Sequence, residues 1–325
     1  MTHDVQKIRG LIKERDSFYI TGHINPDGDS IGACFGLGLA LQKMGKVARV
    51  LLDPFHPKYN VIPGRHLMDN NADIDESFVL ICVDCADAGR LSSPKLIEIL
   101  SDTVCIDHHY SNTHFAKYNF VDGIASSACE MVHRILDGFV ELDLDIASAL
   151  YAGMISDTGG FRHNATSKDT LQAAAKLMAT GIPFTEIYTE LVHLRSYTEV
   201  KLLGRVLDCC CRSTDGRIVH VCVTKAMRSG LEGAPDATIQ DLEGVVEYLL
   251  NIRGTDVSLL IYDRGHNDEV KISLRSRSIN VGAIAQHFGG GGHKLAAGAT
   301  VKGSGLDLYA LRDKVLHLVQ QALDA

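Results

Sequence analysis

The chain has 325 residues, of which 46% are hydrophobic, and a formal net charge of −8. This length exceeds one typical domain, and the apolar fraction is enough for more than one core. The acidic balance argues against a protein that coats long duplex nucleic acid, which would normally be basic. No apolar run is long enough to span a bilayer, and the N-terminal segment lacks a signal-peptide pattern. The composition therefore predicts a soluble, cytoplasmic protein.

Cysteine usage points to the same compartment. The chain contains 9 cysteines, and several of them lie inside apolar runs. Buried, reduced thiols in a reducing compartment explain this pattern without a zinc or redox site.

Strand-like and helix-like segments alternate through the first half of the chain. The strand-like segments are 18–21, 47–52, 78–83 and 103–106, and the helix-like segments are 31–44, 127–136, 146–155 and 167–179. The third and fourth strand-like runs are continuously apolar, which is typical of strands buried on both faces. The alternation predicts an α/β fold with a mainly parallel sheet and helices on both faces.

A second, smaller α/β unit is predicted beyond a more polar helical segment. Its strand-like runs are 217–223, 257–262 and 270–274, and its helix-like runs are 239–250 and 307–323. We therefore divide the chain into a first domain at 1–185, a helical linker at 186–206 and a second domain at 207–325.

Acidic and histidine residues cluster at the ends of four predicted elements in the first half. These residues are His23, Asp27 and Asp29, then Asp84, then Asp107, His108 and His109, and finally Asp157. Ligands of open α/β sheets bind beyond the carboxyl ends of the strands, so the first three clusters can share one rim. Asp157 must reach that rim from the end of a helix. Crowded carboxylates repel each other and are costly to desolvate, so divalent metals at their centre would explain the set.

Each cluster has a simpler explanation when it is taken alone. Asp27-Gly28 fits a turn, and an aspartate such as Asp84 at a strand end often caps a helix. The four clusters together, each at the end of an element, favour a two-metal hydrolase, and phosphoryl chemistry is the usual work of such sites.

The second half contains a glycine run that is a candidate anion site. Four consecutive glycines let backbone N–H groups approach a ligand closely, although a flexible loop is the alternative explanation. Arginine suits bidentate contact with a phosphate. The candidate substrate-binding residues are Arg275, Ser276, Gly290, Gly291, Gly292 and His293.

Several motifs resemble those of the DHH phosphoesterases. In the first half these are GHINPDGDSIGA, VDCAD, IDHH and SDTGGF, and in the second half KISLRS and FGGGGHKLAAGA resemble the accessory domain called DHHA1. The pairing is similar to the compact NrnA-type oligoribonucleases and pAp phosphatases, and the chain is much shorter than RecJ exonucleases. Ala33 stands where a serine is common and Cys85 follows Asp84, but neither departure removes a ligand.

The resemblance implies a DHH catalytic domain with two manganese ions, for which magnesium could substitute. One ion would lie at His23 and Asp27 and the other at Asp29 and His108, with Asp84 and Asp157 bridging or completing both shells. Asp84, Asp107 and His109 form the implied catalytic group. His109 would contact the scissile phosphate, and Asp107 would orient His108.

The resemblance also implies a substrate. A metal-activated water would attack the phosphorus of a short oligonucleotide or dinucleotide, RNA or DNA, and release 5′-mononucleotides. The same site would accept the 3′-phosphate of pAp, while the DHHA1 domain would bind a terminal phosphate. No membrane or long duplex is expected as a partner, and a homodimer is compatible with the sequence. Two alternatives stay open: a phosphodiesterase of cyclic di-AMP or its linear product, and a non-catalytic nucleotide- or metal-binding sensor.

Overall fold

The computed structural model describes residues 3–70, 73–265, 268–303 and 305–325. By its internal contacts the chain forms two compact units, Met1–Leu194 and Arg195–Ala325. The boundary falls inside the segment 186–206 that the sequence predicts as a linker. Within the described residues, no helix combines the length and the apolar character needed to cross a bilayer.

The first unit is built on a five-stranded sheet in the order β2-β1-β3-β4-β5, and every strand pair is parallel. Its strands are β1 Ser17–Thr21, β2 Val47–Leu51, β3 Val79–Val83, β4 Thr103–Asp107 and β5 Tyr118–Val121. Its helices are α1 His3–Glu14, α2 Gly28–Lys43, α3 Leu96–Ile99, α4 Ala128–Leu136, α5 Leu144–Asp157, α6 Lys168–Met178 and α7 Phe184–Tyr188. The predicted α/β class is therefore confirmed.

The two faces of this sheet are covered unequally. Helices α1, α2, α4 and α5 pack on one face around a large core that includes Phe18, Ile81 and Ile106. The other face carries a smaller cluster around Tyr19 and Leu80, covered mainly by α3 and neighbouring turns. Strands β3 and β4 are buried along their whole length, as their continuous apolar sequence predicts. The edge strand β5 and the helix α1 were not predicted.

A stripe of glycines lets α2 and α5 pack unusually close together. Gly28, Gly32 and Gly36 are four residues apart and therefore lie on one face of α2. A Cβ atom added at Gly32 would stand 2.5 Å from the Ala149 carbonyl oxygen, and one at Gly36 would stand 2.7 Å from Leu150. The absence of side chains on this face brings the C-terminal end of α5 next to the N-terminal end of α2.

The second unit contains a mixed six-stranded sheet in the order β10-β11-β9-β8-β7-β6. Its strands are β6 Cys211–Arg212, β7 Ile218–Val223, β8 Val257–Asp263, β9 Glu269–Ser276, β10 Gly291–Gly292 and β11 Ala296–Lys302. Its helices are α8 Tyr197–Asp208, α9 Lys225–Arg228, α10 Val245–Leu250, α11 Val281–Gln286 and α12 Leu308–Asp324. Among the strand pairs of the described residues in this unit, only β7 and β8 pair in parallel. One apolar cluster includes residues of α11 and α12 and the other includes residues of α8 and α10.

The predicted bounds of two helices were wrong. The predicted helix at 239–250 begins only at Val245, because Gly244 adopts a left-handed conformation with a φ of 79°. The predicted connecting helix from Pro183 to Val206 is interrupted. It consists of α7, a π-helical turn at Thr189–His193 and α8, with extended backbone at Leu194 before the Ser196 cap of α8.

We predict that Gly32→Ala destabilises the first unit by about 1–3 kcal/mol, because the new methyl group would meet the backbone of α5. The matched control is Gly10→Ala within α1, where an added Cβ meets no atom within 4 Å. That change should be neutral or stabilise the helix by about 0.5–1 kcal/mol. Urea unfolding and amide hydrogen exchange in α2 measure both effects. Equal behaviour of the two variants would contradict the role of close α2–α5 packing.

Candidate metal centre

The candidate residues converge at the carboxyl ends of three adjacent parallel strands. His23 follows β1, Asp84 follows β3, and Asp107 is the last residue of β4, directly before His108. Because β3 lies between β1 and β4, Asp84 occupies the middle of the rim. The loops after adjacent parallel strands open on the same edge of the sheet, which explains why residues far apart in sequence meet here.

Asp84 presents one carboxylate oxygen to each of two histidines. Its Oδ2 lies 3.4 Å from His23 Nε2, and its Oδ1 lies 3.4 Å from His108 Nε2. The residue has a φ of 53°, a left-handed conformation that is uncommon outside glycine and that aspartate tolerates better than most residues. Its side chain is 3% exposed. One buried carboxylate thus lies between two imidazoles.

The residues form three overlapping groups of potential metal ligands. His23, Asp27 and Asp84 form one group, Asp29, His108 and Asp157 form a second, and Asp84, His108 and His109 form a third; in each, the ligand atoms lie within 4.8 Å of one another. His108 Nε2 stands 3.5 Å from Asp157 Oδ2 and 3.9 Å from Asp29 Oδ2. Asp157 is the last residue of α5 and reaches the site through the close α2–α5 packing.

Helix N-termini hold two of the carboxylates in place. Asp27 caps α2, and its Oδ1 accepts hydrogen bonds from the backbone N–H groups of Asp29 and Ser30. Asp29 is itself buried. Its Oδ2 accepts a hydrogen bond of 2.6 Å from Ala128 N, and its Oδ1 accepts one of 2.9 Å from Cys129 N, both at the start of α4. These donors fix the carboxylate before any ion binds, and the sequence carries no signal that predicts them.

Asp107 orients His109 and not His108. The Asp107 Oδ1 to His109 Nδ1 distance is 2.7 Å, and Asp107 Oδ2 accepts a 2.6 Å hydrogen bond from Asn112 Nδ2. Asp107 is fully buried and both of its oxygens are engaged, so it supports the site without facing its centre. His109 Nδ1 also lies 3.8 Å from Asp84 Oδ1, which places this ring beside the second group. The positioning role of Asn112 was not predicted.

The charges at this site are crowded enough to perturb its pKa values strongly. Burial and the charge of Asp84 raise the pKa of Asp29 to about 7, and burial with the charge of Asp29 raises the pKa of Asp157 well above its usual range. Burial alone would lower the pKa values of the histidines, but nearby carboxylates outweigh it. They raise the pKa of His23 to about 11 and that of His108 to about 10.

At Asp84 and His109, too, nearby charged groups outweigh the effect of burial on the pKa. Burial would raise the pKa of Asp84, but the imidazoles of His108 and His23 outweigh it and lower the pKa. Burial would lower the pKa of His109, but Asp107 and Asp84 raise it. Clustered carboxylates repel one another unless positive charge compensates them. Divalent cations would supply that charge, so the residues present fit a metal centre.

Most of the second-unit candidates take part in hydrogen bonds or close packing within their own unit. Arg275 Nε donates to Glu247 Oε1 at 2.7 Å, and Ser276 Oγ accepts from the N–H groups of Ser278 and Ile279. Gly291 and Gly292 form β10 against β11, and any side chain at Gly290 would collide with the Gly298 carbonyl. Gly290 and Gly292 are thus required by close strand packing, whereas a Cβ added at Gly291 would meet no atom within 4 Å. The backbone N–H of His293 donates to the Ala296 carbonyl oxygen.

Comparison with known proteins identifies the family. A model of the DHH family N-terminal domain matches residues 17–154, and a DHHA1 domain model matches residues 219–324. The chain is 31% identical over 309 residues to the bifunctional oligoribonuclease and PAP phosphatase NrnA of Thermus thermophilus, covering 94% of this chain and 90% of the relative. The chain belongs to the DHH family with a DHHA1 domain, and it is a phosphoesterase.

Two solved structures share the fold. An exopolyphosphatase-related protein from Bacteroides fragilis matches with a TM-score of 0.84 at 24% identity, covering 100% of this chain and 98% of that one. RecJ in complex with Mn²⁺ from Thermus thermophilus matches with a TM-score of 0.56 at 13% identity, covering 98% of this chain and 55% of that one. At these identities both matches establish the fold alone.

We predict that Asp84→Asn removes metal binding and turnover but leaves the fold intact. Asparagine tolerates the left-handed backbone at this position, whereas alanine would add strain to the loss of the carboxylate. Metal content by elemental analysis and circular dichroism measure the two effects. Asp268→Asn is the matched control, because Asp268 also has a positive φ, of 48°, and lies in the second unit. Near-normal metal content in Asp84→Asn would contradict the shared-carboxylate assignment.

Proposed function

We propose that this protein hydrolyses short oligonucleotides and dinucleotides to 5′-mononucleotides, and removes the 3′-phosphate of pAp, with two manganese ions. The observation that carries the proposal is Asp84, whose two carboxylate oxygens face His23 on one side and His108 on the other. Carboxylate and imidazole ligands suit manganese, and magnesium is the alternative ion. When bound, two such ions would activate a water and neutralise charge on the phosphate.

The residues of the first unit have distinct tasks in this proposal. His23 and Asp27 would hold one ion, and Asp29, His108 and Asp157 the other, with Asp84 between them. His109 would hydrogen-bond a non-bridging oxygen of the scissile phosphate through Nε2, because its Nδ1 is engaged by Asp107. Such a donor stabilises the negative charge that develops in the transition state.

Support for the substrate comes from the relatives. The first relative is an oligoribonuclease and PAP phosphatase, and the alignment covers nearly all of both chains. The net charge of −8 also favours a short substrate over a long duplex, since few phosphates need to be neutralised.

In the second unit, we propose that Arg275 and His293 bind an anionic part of the substrate. The Arg275 side chain is 31% exposed, and its Nε is held by Glu247, which fixes the orientation of the guanidinium group. A second hydrogen bond runs from Nη1 to the Leu274 carbonyl oxygen. Among the described residues Nη2 has no hydrogen-bond acceptor, and it is the atom we assign to the ligand.

A substrate panel tests the proposed function. Purified protein with Mn²⁺ or Mg²⁺ is incubated with pAp, dinucleotides, longer oligonucleotides up to heptamers, cyclic di-AMP and pyrophosphate. We expect release of mononucleotides from the short oligonucleotides and of phosphate from pAp, with Mn²⁺ the better ion. Hydrolysis of cyclic di-AMP alone would replace the proposal with a cyclic-dinucleotide phosphodiesterase. No turnover of any substrate would indicate a sensor.

We expect His108→Ala and His109→Ala to lose different properties, metal content in the first and kcat in the second. His108 lies within 4 Å of three carboxylates, so its loss should reduce the metal content. His109 is held by Asp107 at the side of the site, so its loss should lower kcat by roughly two orders of magnitude and leave the metal content unchanged. Elemental analysis and steady-state kinetics separate the two outcomes. Equal metal loss in both variants would show that His109 is also a ligand.

Arg275→Ala should raise the KM for a dinucleotide about ten- to a hundredfold, because a hydrogen bond to a charged group contributes about 1.5–3 kcal/mol. The small diester bis-p-nitrophenyl phosphate has no second phosphate to bind, so its hydrolysis should change little. Glu247→Gln is the control, since it breaks the ion pair and keeps the arginine. Equal loss with both substrates, or an equal effect of Glu247→Gln, would assign Arg275 a structural role.

A further inference from the structure

A large apolar pocket lies in the first unit beside the segment that follows Asp157. Its volume is about 580 Å³, within the roughly 300–1,000 Å³ of typical small-molecule sites. Its wall is formed by α5, α6, α7 and the π-helical turn Thr189–His193. Leu171, Met178 and Phe184 line it and are 51%, 36% and 44% exposed. The pocket is separate from the groups that hold the candidate metal ligands.

Aromatic rings form much of this pocket. Tyr151 and Phe161 have ring centroids 6.1 Å apart, and Tyr188 and His193 have centroids 5.0 Å apart, both pairs inclined at 58°. Thr185 and Thr189 supply hydroxyl groups in the same wall. An aromatic lining with a few hydroxyl and imidazole groups suits a flat, heteroaromatic ligand, which stacks on rings and bonds at its edges.

The loop between Asp157 and His163 connects the pocket to the candidate metal centre. Phe161, which lines the pocket, has a φ of 65°, an uncommon conformation for a bulky residue. Two contacts hold it there: Phe161 N donates to Thr158 Oγ1 at 2.9 Å, and Gly160 lies so close to Tyr188 that a Cβ would stand 2.6 Å from its hydroxyl. His163 Nδ1 lies 3.0 Å from the Asp157 carbonyl oxygen. The same short loop therefore shapes both the pocket and the end of α5.

We propose that this pocket binds a nucleobase of the substrate. The link to turnover rests on the proposed function, whereas the binding itself does not. Tyr151 and Asp157 are six residues apart on α5, which corresponds to about 9 Å along the helix axis. A base in the pocket and a phosphate at the metal centre are thus separated by a distance that one short oligonucleotide can span. Stacking on aromatic rings tolerates any base, as a nuclease of mixed short sequences requires.

Ala175→Trp tests the proposal, because Ala175 is exposed on α6 and lines the pocket, so the indole would fill it without entering the core. Ala179→Trp is the matched control, since Ala179 is an exposed residue at the end of the same helix. Binding of radiolabelled adenosine is measured by equilibrium dialysis with Mn²⁺ present. Adenosine has no phosphate and cannot be hydrolysed, so this measurement is independent of catalysis. Circular dichroism and size-exclusion chromatography monitor the fold and the oligomeric state.

We expect adenosine to bind wild type and Ala179→Trp equally, and Ala175→Trp at least about tenfold more weakly. The KM for a diadenosine dinucleotide should rise by a similar factor in Ala175→Trp. It should not rise for an analogue that lacks the base bound in the pocket. If wild type binds adenosine but cleaves no oligonucleotide, the proposed function fails and the nucleobase site stands.

Three results would overturn the proposal. The first is equal adenosine binding by all three proteins, or none by wild type. The second is weaker adenosine binding by Ala175→Trp with an unchanged KM for the dinucleotide. That result would show that the pocket does not bind a base of the substrate. The third is a change of oligomeric state in Ala175→Trp without adenosine binding to wild type, which would make this surface an interface between copies of the chain.

Discussion

The sharing of one buried carboxylate between two histidines is the constraint on which the site depends. Asp84 faces His23 with one oxygen and His108 with the other, at 3.4 Å in both cases. Asp84 does this from the end of the middle strand, with its backbone in the left-handed region, where φ is 53°. The strain and desolvation that this placement costs are offset only if positive charge occupies both sides of the carboxylate. The parallel sheet thus supplies the position and the ions would supply the compensation.

Helices α2, α4 and α5 position the remaining carboxylates of the site. Gly32 allows α5 to approach α2 so closely that Asp157, at the end of α5, joins Asp29 near the start of α2. The first N–H groups of α4 then hold Asp29 through both of its oxygens. Helix N-termini carry partial positive charge, so they stabilise a carboxylate that has been placed among others of its kind. Packing and electrostatics therefore act on the same residues. A substitution in the glycine stripe of α2 would change the positions of the carboxylates at the site.

Much of this arrangement could be predicted from the sequence, because apolar runs that end in aspartate mark buried parallel strands. The class of fold, the rim of the sheet and the convergence of His23, Asp84 and His108 follow from that pattern. The sequence could not show that Asp107 contacts His109, since two adjacent histidines are equivalent until the backbone sets their directions. Nor could it show Asn112 or the α4 amides, whose roles depend on tertiary contacts. Tyr118–Val121 was missed because a short edge strand has too few residues to show a period.

The glycine-rich segments show why a local pattern can have two explanations. In the second unit, Gly290 and Gly292 are required by the close approach of β11, which accounts for them without any ligand. In the first unit, Gly160 in SDTGGF has a positive φ and lies close to Tyr188, and the next residue, Phe161, also has a positive φ, of 65°. Backbone strain at bulky residues clusters at functional sites. The glycine beside the candidate metal centre is therefore the stronger indication of function, although the longer run is more conspicuous in the sequence.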